Sequence, residues 1–297
     1  MAAPVAAAGR AVALGGALDV GLLGPVRVVA YGRPVALAAP RRQVILAVLA
    51  LAPGHTASTT ALARYLWGED PPSPARRALS TVVTRLRQDL GMDVVSGSSG
   101  GYTLTVPADA VDVHRFLTLL RTARTARTDR TDRTDRGAGG AVELDLLDRA
   151  LACWRAPGEP LQDVGSEALV AEHAPALAEQ WYAATERRID LLLATGVHAD
   201  LVPQLRDLTA RQPLRESLWC RLMVALYRSG RQAEALDAFR CVRELLRDQL
   251  GVLPGRELVA AHRAVLRYDP QVAAPGPLAR RIRRSAHRPR LRPRNRP

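Results

Sequence analysis

The stretch PPSPARRALSTVVTRLRQDLG, residues 71–91, constrains the fold of this chain more than any other. Leu79, Val82, Val83, Leu86 and Leu90 recur at three- and four-residue intervals, the spacing that collects side chains on one stripe of an α-helix. Ser73 is the predicted N-cap. Pro74 takes the first helical position, where a missing N–H costs nothing, and Gly91 stops the helix. The rest of the circumference carries Arg76, Arg77, Ser80, Thr81, Thr84, Arg85, Arg87 and Gln88. A helix with one apolar stripe needs other elements to cover it, so these residues belong to a packed domain. By periodicity alone, a basic arc of this kind is more often solvated surface than a binding face.

The flanking sequence narrows the choice. Residues 18–37, LDVGLLGPVRVVAYGRPVAL, alternate short apolar runs with Gly24-Pro25 and Tyr31-Gly32, which predicts short antiparallel strands. A helix follows Pro40 with Val44, Ile45, Val48, Leu49 and Leu51 on its apolar stripe. Ser58 or Thr56 caps a second, shorter helix that runs to Leu66, and Gly68 ends it before the turn EDPP. After residue 91, Val94-Val95, the loop SGSSGG and Tyr102–Val106 read as a hairpin with Tyr102, Leu104 and Val106 facing inward. Strands, three helices, then a hairpin is the order of a winged helix-turn-helix, an α+β fold, over residues 18–106. In that fold the third helix and the hairpin face a duplex. Arginine bridges guanine O6 and N7, and Ser and Thr bond phosphates or base edges. The candidate site is therefore the arc from Arg76 to Gln88 together with Ser98, Ser99, Gly100 and Tyr102 of the hairpin.

The second half changes character. After a linker at 107–112, helices are predicted over 113–123, 142–154, 167–195, 199–210, 214–229, 232–250 and 254–268, with Pro175 as the point where the longest would be disturbed. The low-complexity insert at 121–140, with its Thr-Asp-Arg triplets, has no hydrophobic period and is predicted to be a solvated loop. Trp219, Leu222, Ala235 and Phe239 keep the spacings of the tetratricopeptide pattern, with Gly230 at the turn. Trp219, Leu222, Leu226, Tyr227, Leu236 and Phe239 are thus expected core. Arg228, Arg231, Glu234 and Arg243 are expected on the surface of an all-α domain, 113–268, of the kind that binds protein or forms dimers.

Charge needs locating before it is interpreted. The formal net charge is +13, and all 42 basic residues are arginine. Residues 280–297 carry nine of these and no acid, so the tail 269–297 is expected to be disordered and generically polyanion-binding. The Ala-rich extension 1–17 lacks a basic segment ahead of an apolar run and is expected to be disordered rather than a signal peptide. There is no membrane-length apolar run, so no membrane partner is expected and the localisation is expected to be cytoplasmic. Enzymes are disfavoured. The six histidines are scattered without metal spacing, the three cysteines form no CxxC pair, and a Walker-type loop is impossible without lysine. No catalytic residue, cofactor or metal is expected.

The runs LGPVRV, PRRQVILAVLALAPG, LARYLWGEDPP, ARRALSTVVTRLRQDLG, GGYTLTV and VDVHRF resemble, in this order, the Streptomyces antibiotic regulatory protein family. The later run PLRESLWCRLMVALYRSGRQAEALDAFRCVRELLRDQLGVLPGREL resembles that family's bacterial transcriptional activator domain. The resemblance covers about 18–268. It implies an OmpR-type winged helix followed by a tetratricopeptide-like helical domain. It also implies transcriptional activation of secondary-metabolite (antibiotic) gene clusters. The implied partners are double-stranded DNA at direct repeats near the −35 region, RNA polymerase holoenzyme with its sigma factor, and a second copy as a side-by-side dimer. Two alternatives stay open: a helical-repeat interaction scaffold, and a repressor that only occludes a promoter.

Overall fold

The structure is a computed structural model that describes residues 18–132 and 138–269. The extension 1–17 and the arginine tail from 270 therefore lie outside the described residues. The chain divides into two compact units between Ala184 and Thr185.

The first unit opens with β1 (Leu18–Gly21), β2 (Arg27–Ala30) and β3 (Arg33–Pro34), an antiparallel sheet in the order β1-β2-β3 with Val20 opposite Val28. Pro40 begins α1 (Pro40–Leu51), whose residues Val44 to Ala50 are all buried. β4 (Thr56–Ser58) leads into α2 (Thr59–Trp67), where the Ser58 hydroxyl accepts the Ala61 N–H at 3.1 Å, so that Ser58 rather than Thr56 is the cap. Next come α3 (Ala75–Leu90) and the hairpin β5 (Val95–Gly97) and β6 (Gly101–Leu104), which complete a second sheet in the order β4-β6-β5. This is the winged helix-turn-helix expected from the sequence. One detail differs. Pro74, with extended backbone, precedes the first helical residue Ala75, and no side chain caps the helix, so Ser73 is not the N-cap.

The helical part starts earlier and runs further than its sequence predicts. Residues 108–110 of the expected linker form a 3-10 turn, and Asp112 opens α4 (Asp112–Asp132). The expected loop at 121–140 is thus helical through Asp132, and α5 (Ala138–Leu151) resumes beyond it. Phe116, Leu120 and Ala123 are buried and carry the packed stripe into this stretch. The polar residues beyond it extend a helix that is already nucleated, although the Thr122 and Thr125 hydroxyls bond back to the carbonyls of Thr118 and Arg121. Buried Phe116 meets Trp154 edge-on at 5.3 Å, and Trp154 lies 6.3 Å from Trp181. These aromatics form the core between α4, the segment after α5, and α6 (Glu167–Thr195), which passes Pro175 as one helix.

The second unit contains α7 (Leu201–Arg211), α8 (Glu216–Arg228), α9 (Gln232–Leu250) and α10 (Arg256–Leu266). Trp219, Leu222, Leu226 and Phe239 are buried as the tetratricopeptide spacing requires, whereas Tyr227 and Leu236 are only half-buried. Arg228 is half-buried too, donating to the Leu193 carbonyl at 2.8 Å. Among the described residues no helix is long and apolar enough to cross a membrane.

Candidate nucleic-acid interface

Helix α3 is held from behind. Leu79, Val83, Leu86 and Leu90 are buried, and Arg42 of α1 pairs with Asp89 near the end of α3. At about 100° per residue, Arg77, Thr81, Thr84 and Gln88 stand opposite that stripe, with Arg85 at one edge of the outward arc. All five are exposed, and so are Arg76 and Ser80. The Thr81 and Thr84 hydroxyls donate to the carbonyls of Arg77 and Ser80 at 3.1 and 2.9 Å. In that arrangement each threonine offers outward a methyl group and an accepting oxygen. Among the described residues no carboxylate pairs with Arg76, Arg77 or Arg85, so their charge faces solvent uncompensated.

The hairpin stands beside this helix. The Ser98 N–H donates to the Gly101 carbonyl at 2.9 Å, closing a tip whose residues Ser98, Ser99 and Gly100 are exposed. Tyr102 is half-buried, paired with Gly97 on one side and Ala57 on the other. Gly101 is required by close approach: a Cβ there would lie 2.2 Å from the Ala57 carbonyl oxygen. The Gly100 carbonyl accepts the Thr59 N–H at 3.0 Å, which ties the tip to the start of α2.

Two arginines cross from helix to hairpin. Arg76 donates to the Ser99 carbonyl at 3.3 Å, and Arg87 donates through Nε to the Val95 carbonyl at 2.7 Å. Arg87 is half-buried, unlike the other three arginines of α3. The structure therefore gathers every residue expected from the sequence on one helix and one hairpin, but divides them into an outward arc and an edge turned to the hairpin. The eleven-residue spacing of Arg76 and Arg87, three helical turns, is the sequence signal that places both on one edge.

What the surface can do follows from its chemistry. It presents guanidinium donors, hydroxyl and amide groups, and an uncharged tip able to approach a surface closely. It is a donor-rich, cationic face. Among the described residues no group of His, Cys, Asp and Glu is placed to hold a metal ion.

Comparison with known proteins places both parts of the chain in known families. Residues 32–107 match the family described as "Transcriptional regulatory protein, C terminal", and residues 111–266 match "Bacterial transcriptional activator domain". The regulatory protein DnrI of Streptomyces peucetius is 33% identical over 275 residues, covering 88% of this chain and 96% of DnrI. The regulatory protein AfsR of Streptomyces griseus is 38% identical over 261 residues, 87% of this chain. The chain spans about a quarter of the length of the AfsR proteins it matches, 26% and 25%. Among solved structures, Mycobacterium tuberculosis EmbR in complex with a low affinity phosphopeptide superposes with a TM-score of 0.76 at 31% identity, covering 91% of this chain and 69% of that one.

Proposed function

The chain belongs to the Streptomyces antibiotic regulatory protein family, and we propose that it is a sequence-specific DNA-binding activator of transcription, a pathway-specific regulator of secondary-metabolite genes. The observation that carries this reading is the uncompensated outward arc of α3 beside the exposed tip Ser98–Gly100. The arc enters the major groove, where Arg77 and Arg85 read guanine edges and Thr81, Thr84 and Gln88 read or position neighbouring bases. The tip, with Tyr102 behind it, meets the adjacent backbone. The protein binds direct repeats near the −35 region as a side-by-side dimer, and its helical domain engages RNA polymerase holoenzyme with its sigma factor. It works in the cytoplasm and is not an enzyme.

The test is a footprint of the full chain on promoters selected from its own genome, followed by transcription in vitro from the protected promoter. The expected result is protection of two tandem sites and more transcript with protein than without. Protection with less transcript would replace the activator by a promoter-occluding repressor. No protection at any salt concentration would leave a protein-interaction scaffold.

A further inference from the structure

Arg87 stands apart from its neighbours on α3. Its Nε–H is committed to the Val95 carbonyl at 2.7 Å, at the base of the hairpin, while Arg76 reaches the Ser99 carbonyl at the tip. The two bonds run from opposite ends of the helix to opposite ends of β5 and its loop. A Cβ added to Gly97 would lie 3.5 Å from Nη2 of Arg87, so the guanidinium also lines the inner side of that strand. Helical geometry agrees: Arg87 sits about 80° from the buried stripe, whereas Thr81 and Gln88 sit roughly opposite it.

Resting on the DNA-binding reading, we infer that Arg87 is a positioning residue that fixes the hairpin against the recognition helix, and that it does not read bases. Arg87 holds the base of β5, while Arg76 and the bond from Thr59 to Gly100 hold the tip. The hairpin has three residues in β5 and four in β6, and its tip carries no charge. β5 is a three-residue edge strand paired only with β6 in the sheet β4-β6-β5, and so short an edge has little rigidity of its own. A half-buried, charge-assisted bond at its base supplies a fixed distance between the two surfaces that meet the duplex. Specificity that depends on helix and tip touching at one register then depends on Arg87 without Arg87 touching a base.

The chemistry of glutamine separates this role from a direct contact. Gln places its Nε2 at the same position along the side chain as the Nε of Arg, so Arg87→Gln keeps an N–H donor for Val95 and removes the charge. The full chain is used to enrich duplexes from a randomised pool, and the enriched duplex and a scrambled one serve as probes. Arg87→Ala is expected to weaken the enriched duplex by roughly tenfold or more, the equivalent of one charge-assisted bond. It is also expected to erase hydroxyl-radical protection at the hairpin's position alone. Arg87→Gln is expected to restore both, whereas Arg85→Gln, a control on the outward arc, loses discrimination between the two probes. Because the tip is uncharged, the slope of log affinity against log salt stays unchanged in the Arg87 variants. A phosphate contact would lower it by about 0.9.

Arg87→Gln binding as weakly as Arg87→Ala, with the slope reduced in both, would overturn the assignment in favour of a DNA contact. So would an Arg87→Ala protein that binds and protects as the unmodified chain does. If Arg87→Ala does not fold, Arg87→Gln measured against Arg85→Gln decides the matter by the same two readouts. Failure of the unmodified chain to enrich any duplex would remove the DNA reading itself, an outcome distinct from failure confined to Arg87.

Discussion

The carboxylate of Asp112, 1% exposed, accepts Nη1 of Arg155 at 2.9 Å while also accepting the backbone N–H groups of Leu22 and Leu23 at 2.8–3.0 Å. One buried acid thus joins the turn after β1 to the start of α4 and to the segment after α5. Arg155 completes the arrangement with a bond from Nη2 to the Pro25 carbonyl at 2.9 Å, and its own N–H reaches the Leu23 carbonyl. Gly24 fits here at φ 132° because a Cβ would stand 2.9 Å from the Ala156 nitrogen.

Removing that acid strands several partners at once. Asp112→Ala leaves two amides and a guanidinium without their acceptor, and breaking a buried pair from one side costs about 3–5 kcal/mol. Urea denaturation of the full chain is expected to show that loss, with Arg155→Ala costing less because its head is partly solvated. Equal stability of Asp112→Ala and the unmodified chain would contradict the role given to this residue.

The same bonds predict how the chain responds to truncation. Residues 18–106 lack Asp112, Arg155 and also Ser166, whose hydroxyl donates to the Tyr65 carbonyl at 2.7 Å. They lack Glu172 as well, which accepts from Arg64 and Tyr65, each at 2.9 Å. A fragment ending at 106 is expected to melt at lower temperature and to be cleaved faster by protease than one ending at 184. Matching protease resistance would show that the winged helix stands alone.

Reading by the outward arc predicts which substitutions change sequence choice. Arg77→Ala and Arg85→Ala are each expected to cost roughly 1–3 kcal/mol of discrimination between the enriched and scrambled duplexes if the side chain bridges a guanine. Competition binding at fixed salt measures this. Equal loss on both duplexes would reassign that arginine to a phosphate.

Much of this was legible in the sequence because helix periodicity, caps and glycine breaks are local. The stripe Leu79–Leu90 and the hairpin around Ser98–Gly100 follow from local spacing, the cap of α2 narrows to Ser58 or Thr56, and the order of elements then leaves few folds. What could not be read depends on partners distant along the chain. Helical spacing sets Arg87 on another edge than Arg85, but nothing local shows that Val95 folds beside it, and Asp112 looks like an ordinary first-turn acid until Leu22 arrives from 90 residues away. The Thr-Asp-Arg triplets misled for the converse reason: a polar stretch with no apolar stripe extends a helix nucleated by residues before it, through Asp132.

The last prediction concerns acid. His55, His198 and His262 are each held below the ordinary imidazole value, in every case by burial first. Neighbouring basic side chains act in the same direction: His114 beside His55, Arg228 beside His198, and Arg243 and Arg263 beside His262. The unfolded chain takes up protons at these rings near pH ~6.5, while the folded chain resists until the pH is lower. The contribution to stability is therefore complete above that value and is lost as pH falls through it towards the lowered folded values. His55 is the sharpest case. The residue is 9% exposed, its ring lies edge-on to His114 at 4.9 Å, and its buried Nδ1 has no hydrogen-bond partner. Burial opposes protonation there, and the backbone carbonyls of Ala50 and Leu49 offset that only in part. Urea midpoints measured at pH 7.5 and pH 5.5 should fall for the full chain, and His55→Phe should reduce the size of that fall even where it alters absolute stability. A midpoint that rises on acidification would reverse the sign argued for all three rings. A fall of unchanged size in His55→Phe would remove His55 from its cause.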